Sequence, residues 1–168
     1  IMKIFYIFLF LLFLPNQVQA LKLTKLNVDL HYPWGMTWVS SDKLLITEKK
    51  SYKIILINTS NNTYQNIDHN LPIKGDRQGG LLDIISEGNN IWITGSIQKE
   101  NGYTTAVFKS ILENNKLVDS QLIFEALPYI PNQVHFGSRM AIKDNYLYVS
   151  IGERGKGMIA QDPTNAIG

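Results

Sequence analysis

Trp34-Gly35-Met36-Thr37-Trp38-Val39, a polar turn, then Leu44-Leu45-Ile46-Thr47 is the stretch that decides the fold, because the chain repeats it. The second copy is Gly80-Leu81-Leu82-Asp83-Ile84-Ile85, a turn, then Ile91-Trp92-Ile93-Thr94. The third is Ser138-Arg139-Met140-Ala141-Ile142, a turn at Asp144-Asn145, then Tyr146-Leu147-Tyr148-Val149-Ser150. Short β-rich runs broken by Asn, Asp, Gly and Ser clusters read as antiparallel sheet. The copies lie about 47 to 56 residues apart, a spacing typical of β-propeller blades, each a four-stranded antiparallel sheet. A β-sandwich also has short strands and turns, but it does not repeat an inner-pair signature.

The expectation is therefore an all-β chain forming the first two to three blades of a β-propeller. The two recurring strands make the inner pair of each blade. In the second blade Thr104 to Ser110 and Lys116 to Phe124 supply the outer pair, and Trp34, Trp38 and Trp92, at strand positions, are expected in the core. Propellers close with at least four blades, so the chain reads as part of a longer protein, with exposed sheet edges and an incomplete site.

Composition narrows the function. A formal net charge of +2 over 168 residues gives no electrostatic case for nucleic acid or an anionic membrane. The absence of cysteine excludes disulfides and thiolate metal sites. Met2-Lys3, the apolar run Ile4 to Leu14, a break at Pro15-Asn16-Gln17 and small residues in Val18-Gln19-Ala20 read as a secretory signal peptide over residues 1–20. Its apolar part is short for a membrane span, the alternative being an uncleaved anchor. The folded domain is then 21–168, exported to the periplasm or secreted, with no stable membrane span after cleavage.

Two residues stand out as chemistry-bearing. His135, in Gln133-Val134-His135-Phe136-Gly137-Ser138-Arg139, lies between a proline-marked loop and a strand. Histidine is the side chain best suited to take a proton near neutral pH; the alternative is a loop histidine with a structural hydrogen bond. Gln78, in Gly75-Asp76-Arg77-Gln78-Gly79-Gly80, offers a donor and an acceptor just before the innermost strand of its blade, as His135 does. Two polar groups delivered to one end of a propeller channel begin a site.

Other features carry less. Gly152-Glu153-Arg154-Gly155-Lys156-Gly157 has neither a Walker pattern nor GxGxxG in a βα context. Glu153 and Asp162 are carboxylates able in principle to bind metal, but they read as part of an exposed Gly-rich loop, and no metal ligand is assigned. The glycosylation sequons at Asn58 and Asn61 are of a kind polar turns produce often. His31 and His69 have no partners at ligand spacing and read as surface residues.

Tyr32-Pro33-Trp34-Gly35-Met36, Leu44 to Glu48, Gln78-Gly79-Gly80-Leu81-Leu82-Asp83, His135 to Arg139 and Ala160-Gln161-Asp162 occur in this order over nearly all of 21–168. With them the chain resembles the N-terminal part of the soluble quinoprotein sugar dehydrogenases, the glucose/sorbosone (aldose sugar) dehydrogenase family. The resemblance implies a six-bladed propeller holding pyrroloquinoline quinone and calcium on its axis. It implies oxidation of an aldose at its anomeric carbon to a lactone, with an external electron acceptor. It makes His135 the general base and puts Gln78 against the quinone. Val134 stands where the glucose-oxidising branch has a carboxylate, which favours a broader aldose preference. The family's basic residues for the quinone carboxylates and its calcium ligands come from later blades, so the chain alone is expected to be inactive. A metal-dependent lactonase would need inner-strand carboxylate and Asn ligands that are not found. A non-catalytic propeller binding a sugar or a protein remains the alternative.

Overall fold

The computed structural model describes residues 21–167, and the segment read as a signal peptide lies outside them. After an extended segment, ten strands follow in chain order: β1 (Pro33–Trp38), β2 (Lys43–Glu48), β3 (Ile54–Asn58), β4 (Thr63–Ile67), β5 (Leu81–Glu87), β6 (Asn90–Lys99), β7 (Gly102–Glu113), β8 (Lys116–Glu125), β9 (Gly137–Lys143) and β10 (Tyr146–Ile151). The only helix among the described residues is a short 3-10 turn, Gly157–Gln161. The strands form two four-stranded antiparallel sheets, β1-β2-β3-β4 and β5-β6-β7-β8, and a two-stranded one, β9-β10. Each expected inner pair and the expected outer pair of the second sheet are present. The innermost strands meet, β1 against β5 and β5 against β9, so the sheets follow one another as an arc of blades.

The core explains why β2 and β3 are apolar on both faces. Leu45, Ile54 and Leu56 join Leu81, Ile84, Ile91, Ile93, Ala106 and Phe108 between the first two sheets. The opposite face, Leu44, Ile46, Ile55 and Ile57, is covered by Leu26, Val28 and Leu30 of the extended N-terminal segment. Burying such aliphatic side chains contributes about 1.5–3 kcal/mol each.

What repeats in the sequence is a hydroxyl between blades. Thr47 Oγ1 accepts the Gly35 N–H (2.9 Å) and donates to Leu82 O of the next sheet (2.5 Å). Thr94 Oγ1 likewise accepts the Asp83 N–H (2.9 Å) and donates to Ser138 O (2.9 Å). Ser150 Oγ accepts the Arg139 N–H (3.0 Å) in the third copy. At these points the ladder of each innermost strand skips register, as a bulge does, and the hydroxyl supplies the missing pairing. Gly35, Asp83 and Arg139 are therefore equivalent positions. Gly35 must be small: a β-carbon there would stand 2.8 Å from both Asp83 Oδ1 and the Ile84 nitrogen.

Trp34 and Trp38 correct the expectation of a tryptophan core. They are 40% and 55% exposed, and Trp92 is half-buried. In β1 the one buried position is Gly35, where the backbone of β5 approaches, and the large rings are left outside. The Trp34 ring instead carries Lys49 Nζ at 4.1 Å from its centroid, a cation–π contact. Burial, with the charge of Lys50 adding to it, holds the Lys49 ammonium below its ordinary pKa.

Candidate functional site

The candidate site is assembled by the loops that enter β5 and β9 and the loop that leaves β10. The segment before β9 is tied to β7 by the paired bonds Tyr103 N–H to Ile130 O (2.8 Å) and Ile130 N–H to Tyr103 O (3.1 Å). It then turns sharply, with His135 at φ 51°, a left-handed conformation uncommon for a residue with a β-carbon. The turn buries Phe136 and leaves the imidazole half-exposed.

Gln78 meets this loop directly. Its side-chain Oε1 accepts the backbone N–H of His135 at 2.7 Å, although the two residues are 57 positions apart. Gln133 returns the contact: its carbonyl accepts the Gln78 N–H at 3.1 Å, and its side chain accepts the Asp76 N–H. Both residues nominated from sequence thus lie side by side, and the Gln78 amide nitrogen has no hydrogen-bond partner among the described residues.

A third group was misread from sequence. Glu153 Oε1 lies 2.5 Å from His135 Nδ1, with the carboxylate side chain 20% exposed and the imidazole 51%. The Gly-rich loop is not simply solvated, because Glu153 is turned inward onto the histidine. The hairpin register holds the signal: Ile151 pairs with Gly137, and continuing that pairing outward sets Glu153 opposite His135. The His135 bond, helped by backbone N–H groups, holds the Glu153 carboxyl below its ordinary pKa. A carboxylate can only accept, so Nδ1 carries the proton, and a neutral imidazole then presents the Nε2 lone pair. That nitrogen has no hydrogen bond among the described residues.

Arg154, also missed, is fully buried beneath the site. Its Nη1 donates to His135 O and Gly152 O, both at 2.6 Å, and its Nη2 to Thr105 Oγ1 at 2.6 Å. The guanidinium lies 4.3 Å from the centre of the Phe136 ring. Burial pushes its pKa down to about 10, and the charge of Glu153 works against that shift; at neutral pH it remains charged. Toward the first sheet, Asp83 receives Arg139 Nη1 at 2.7 Å and the Met140 N–H at 2.8 Å, and Arg139 Nη2 reaches Trp34 O at 3.1 Å.

The remaining candidates lie elsewhere. Asp162 is held by Thr164 in its own turn, and Asn58 and Asn61 cap theirs. His31 is exposed beside Asp29. His69, expected at the surface, is half-buried with Nε2 at 2.7 Å from Tyr52 O. Among the described residues no group of three His, Cys, Asp or Glu side chains is placed to hold a metal ion, and no helix is long and apolar enough to cross a membrane.

Comparison with known proteins agrees with this architecture. The structure superposes on a glucose dehydrogenase with a TM-score of 0.80 at 23% identity, covering 86% of this chain and 45% of that one. For the apo form of the soluble aldose sugar dehydrogenase of Escherichia coli the TM-score is 0.75 at 24% identity, over 83% of this chain and 43% of that one. For the PQQ-bound aldose sugar dehydrogenase of Streptomyces coelicolor it is 0.77 at 18% identity, over 87% and 45%. An uncharacterized protein of Synechocystis sp. (strain ATCC 27184 / PCC 6803 / Kazusa) is 31% identical over 140 residues, 75% of this chain and 34% of that protein. The chain thus spans between a third and a half of the length of these relatives. The sequence pattern of the family described as Glucose / Sorbosone dehydrogenase matches residues 30–168, and the chain belongs to that family.

Proposed function

We propose that this chain is the N-terminal part of an exported quinoprotein that oxidises an aldose at its anomeric carbon to the lactone. The observation that carries the reading is a pair of contacts on one residue that leaves its third polar group open. The His135 backbone is held by Gln78, its Nδ1 by Glu153, and its Nε2 is left without a partner. An imidazole so oriented is a general base waiting for a hydroxyl proton. The half-exposed ring is reachable by a sugar.

The residues fit the quinone in part. The unpartnered amide nitrogen of Gln78, beside the imidazole, suits an oxygen-rich quinone edge without adding charge. Pyrroloquinoline quinone, when bound, supplies the acceptor for the hydride that leaves the anomeric carbon, and an external acceptor then takes the electrons. For calcium, no group of three His, Cys, Asp or Glu side chains is placed to hold an ion among the described residues, and no step is assigned to it. His135 Nε2 takes the anomeric hydroxyl proton as the carbonyl forms. Glu153 keeps the imidazole in its acceptor tautomer and stabilises the imidazolium that results, as the carboxylate of a catalytic triad does. Gln78 holds the loop so that the base does not move. Val134, half-buried, leaves the position before His135 without a carboxylate and favours a broad aldose preference.

The test is His135→Ala in the full-length protein with quinone and calcium saturating. Turnover of an aldose is expected to fall by about 10²–10⁴-fold, with quinone affinity nearly unchanged. Near-normal turnover would place the base elsewhere and overturn the proposal.

A further inference from the structure

Glu153 and Arg154 are consecutive, and they grip opposite ends of one residue. The carboxylate takes the His135 ring at Nδ1, and the guanidinium takes the His135 backbone carbonyl at 2.6 Å. Arg154 is itself in the left-handed region, at φ 57°, which turns its side chain into the interior while Glu153 stays beside the His135 ring. Asn132 Nδ2 fixes the Arg154 carbonyl at 2.9 Å, and Thr105 Oγ1, which receives Arg154 Nη2, donates to Phe136 O at 2.7 Å. The loop on both sides of His135 is therefore strung on one buried cation.

That cation is costly. It has no carboxylate within ion-pair distance among the described residues, and its Nε has no hydrogen-bond partner. Apolar residues of similar volume often replace buried charged groups with neutral or favourable effect on stability. Stability alone thus gives little reason for an arginine here. What only a guanidinium provides is a rigid fork that reaches two carbonyls and a hydroxyl at once. One of those carbonyls belongs to a residue held in a conformation it would otherwise leave.

We propose that Arg154 is a positioning residue: it holds the His135 carbonyl, and so keeps the imidazole where Glu153 reaches Nδ1 and Nε2 faces the substrate. This rests on the reading of His135 as the base.

The experiment compares wild type, Arg154→Lys and Arg154→Met in the full-length protein. The His135 ring tautomer is followed by histidine-ring nitrogen NMR, assigned by its loss in His135→Gln, alongside kcat, KM and thermal unfolding. Wild type is expected to show His135 locked with its proton on Nδ1. Arg154→Met releases the lock and lowers kcat by about 10²-fold, the cost of a displacement near 1 Å, with KM changed little. Arg154→Lys, which keeps the charge but lacks the fork, recovers part of the loss. A folded Arg154→Met with the locked tautomer and wild-type kcat overturns the proposal. If that variant does not fold, Arg154→Lys with an unreleased tautomer and unchanged kcat does so. A wild-type protein without the Nδ1 lock counts instead against the His135–Glu153 pair itself.

Discussion

Replacing Asp83 by Ala tests the contact that joins the second sheet to the third beneath the site. The carboxylate is 5% exposed and accepts from Arg139 Nη1 at 2.7 Å and from the Met140 N–H at 2.8 Å. Arg139 is 62% exposed and can turn to water, so its ion pair is worth only about 1 kcal/mol at most. The Met140 N–H lies in the sheet interface, and leaving it unpaired costs about 1–3 kcal/mol. Together the loss is about 1–4 kcal/mol, and it falls on the docking of β9–β10 more than on the two complete sheets. Hydrogen exchange of the β9 and β10 amides is therefore the assay. Exchange there should quicken by about 5- to 700-fold, at 1.4 kcal/mol per factor of ten, while the β6–β7 amides change far less. Asp83→Asn keeps one acceptor and should give the smaller effect. Uniform loss of protection over all three sheets, or none in Asp83→Ala, would refute the reasoning.

Glu153→Gln replaces a carboxylate that can only accept with an amide that can also donate, so the His135 tautomer is no longer fixed, and kcat should fall by about 10- to 100-fold, part of the general-base contribution, with KM and quinone affinity nearly unchanged in steady-state and binding assays. The same pair gives a pH signature. Because the folded Glu153 carboxyl titrates below its usual 4.5, the pair's stabilisation is present above that value and is lost as pH falls through the lower folded pKa. The difference between wild type and Glu153→Gln in urea unfolding should thus shrink as the solution is made more acid than about pH 4.5. Gly80→Ala would put a β-carbon 2.1 Å from Lys49 O at φ +131°, so urea unfolding should show a loss of at least about 1–3 kcal/mol, the cost of the backbone strain alone.

Sequence went furthest where the physics is local or periodic. The recurrence of one strand–turn–strand pattern made the blades legible before any coordinate, and the structure adds that Thr47, Thr94 and Ser150 supply a hydroxyl to each inner strand. So were the turns between them, because Asn and Asp turn chemistry acts over three or four residues. His135 and Gln78 were legible because each precedes the innermost strand of a blade. The chain by itself determined that these elements exist, and in what order.

Tertiary structure decided what they touch. A strand's alternation does not say whether its outer face meets another sheet, which is why Trp34 and Trp38 were expected inside and lie exposed. Glu153 and Arg154 sit in one polar, glycine-rich loop, and composition alone cannot set one on the His135 ring and bury the other beneath it. That follows from the β9–β10 register, which carries Glu153 opposite His135, and from two left-handed residues, His135 and Arg154, that aim a carbonyl and a guanidinium at each other. The hydrogen bond between Gln78 and His135, 57 positions apart, depends on how blades pack, and that packing exists only in the folded chain.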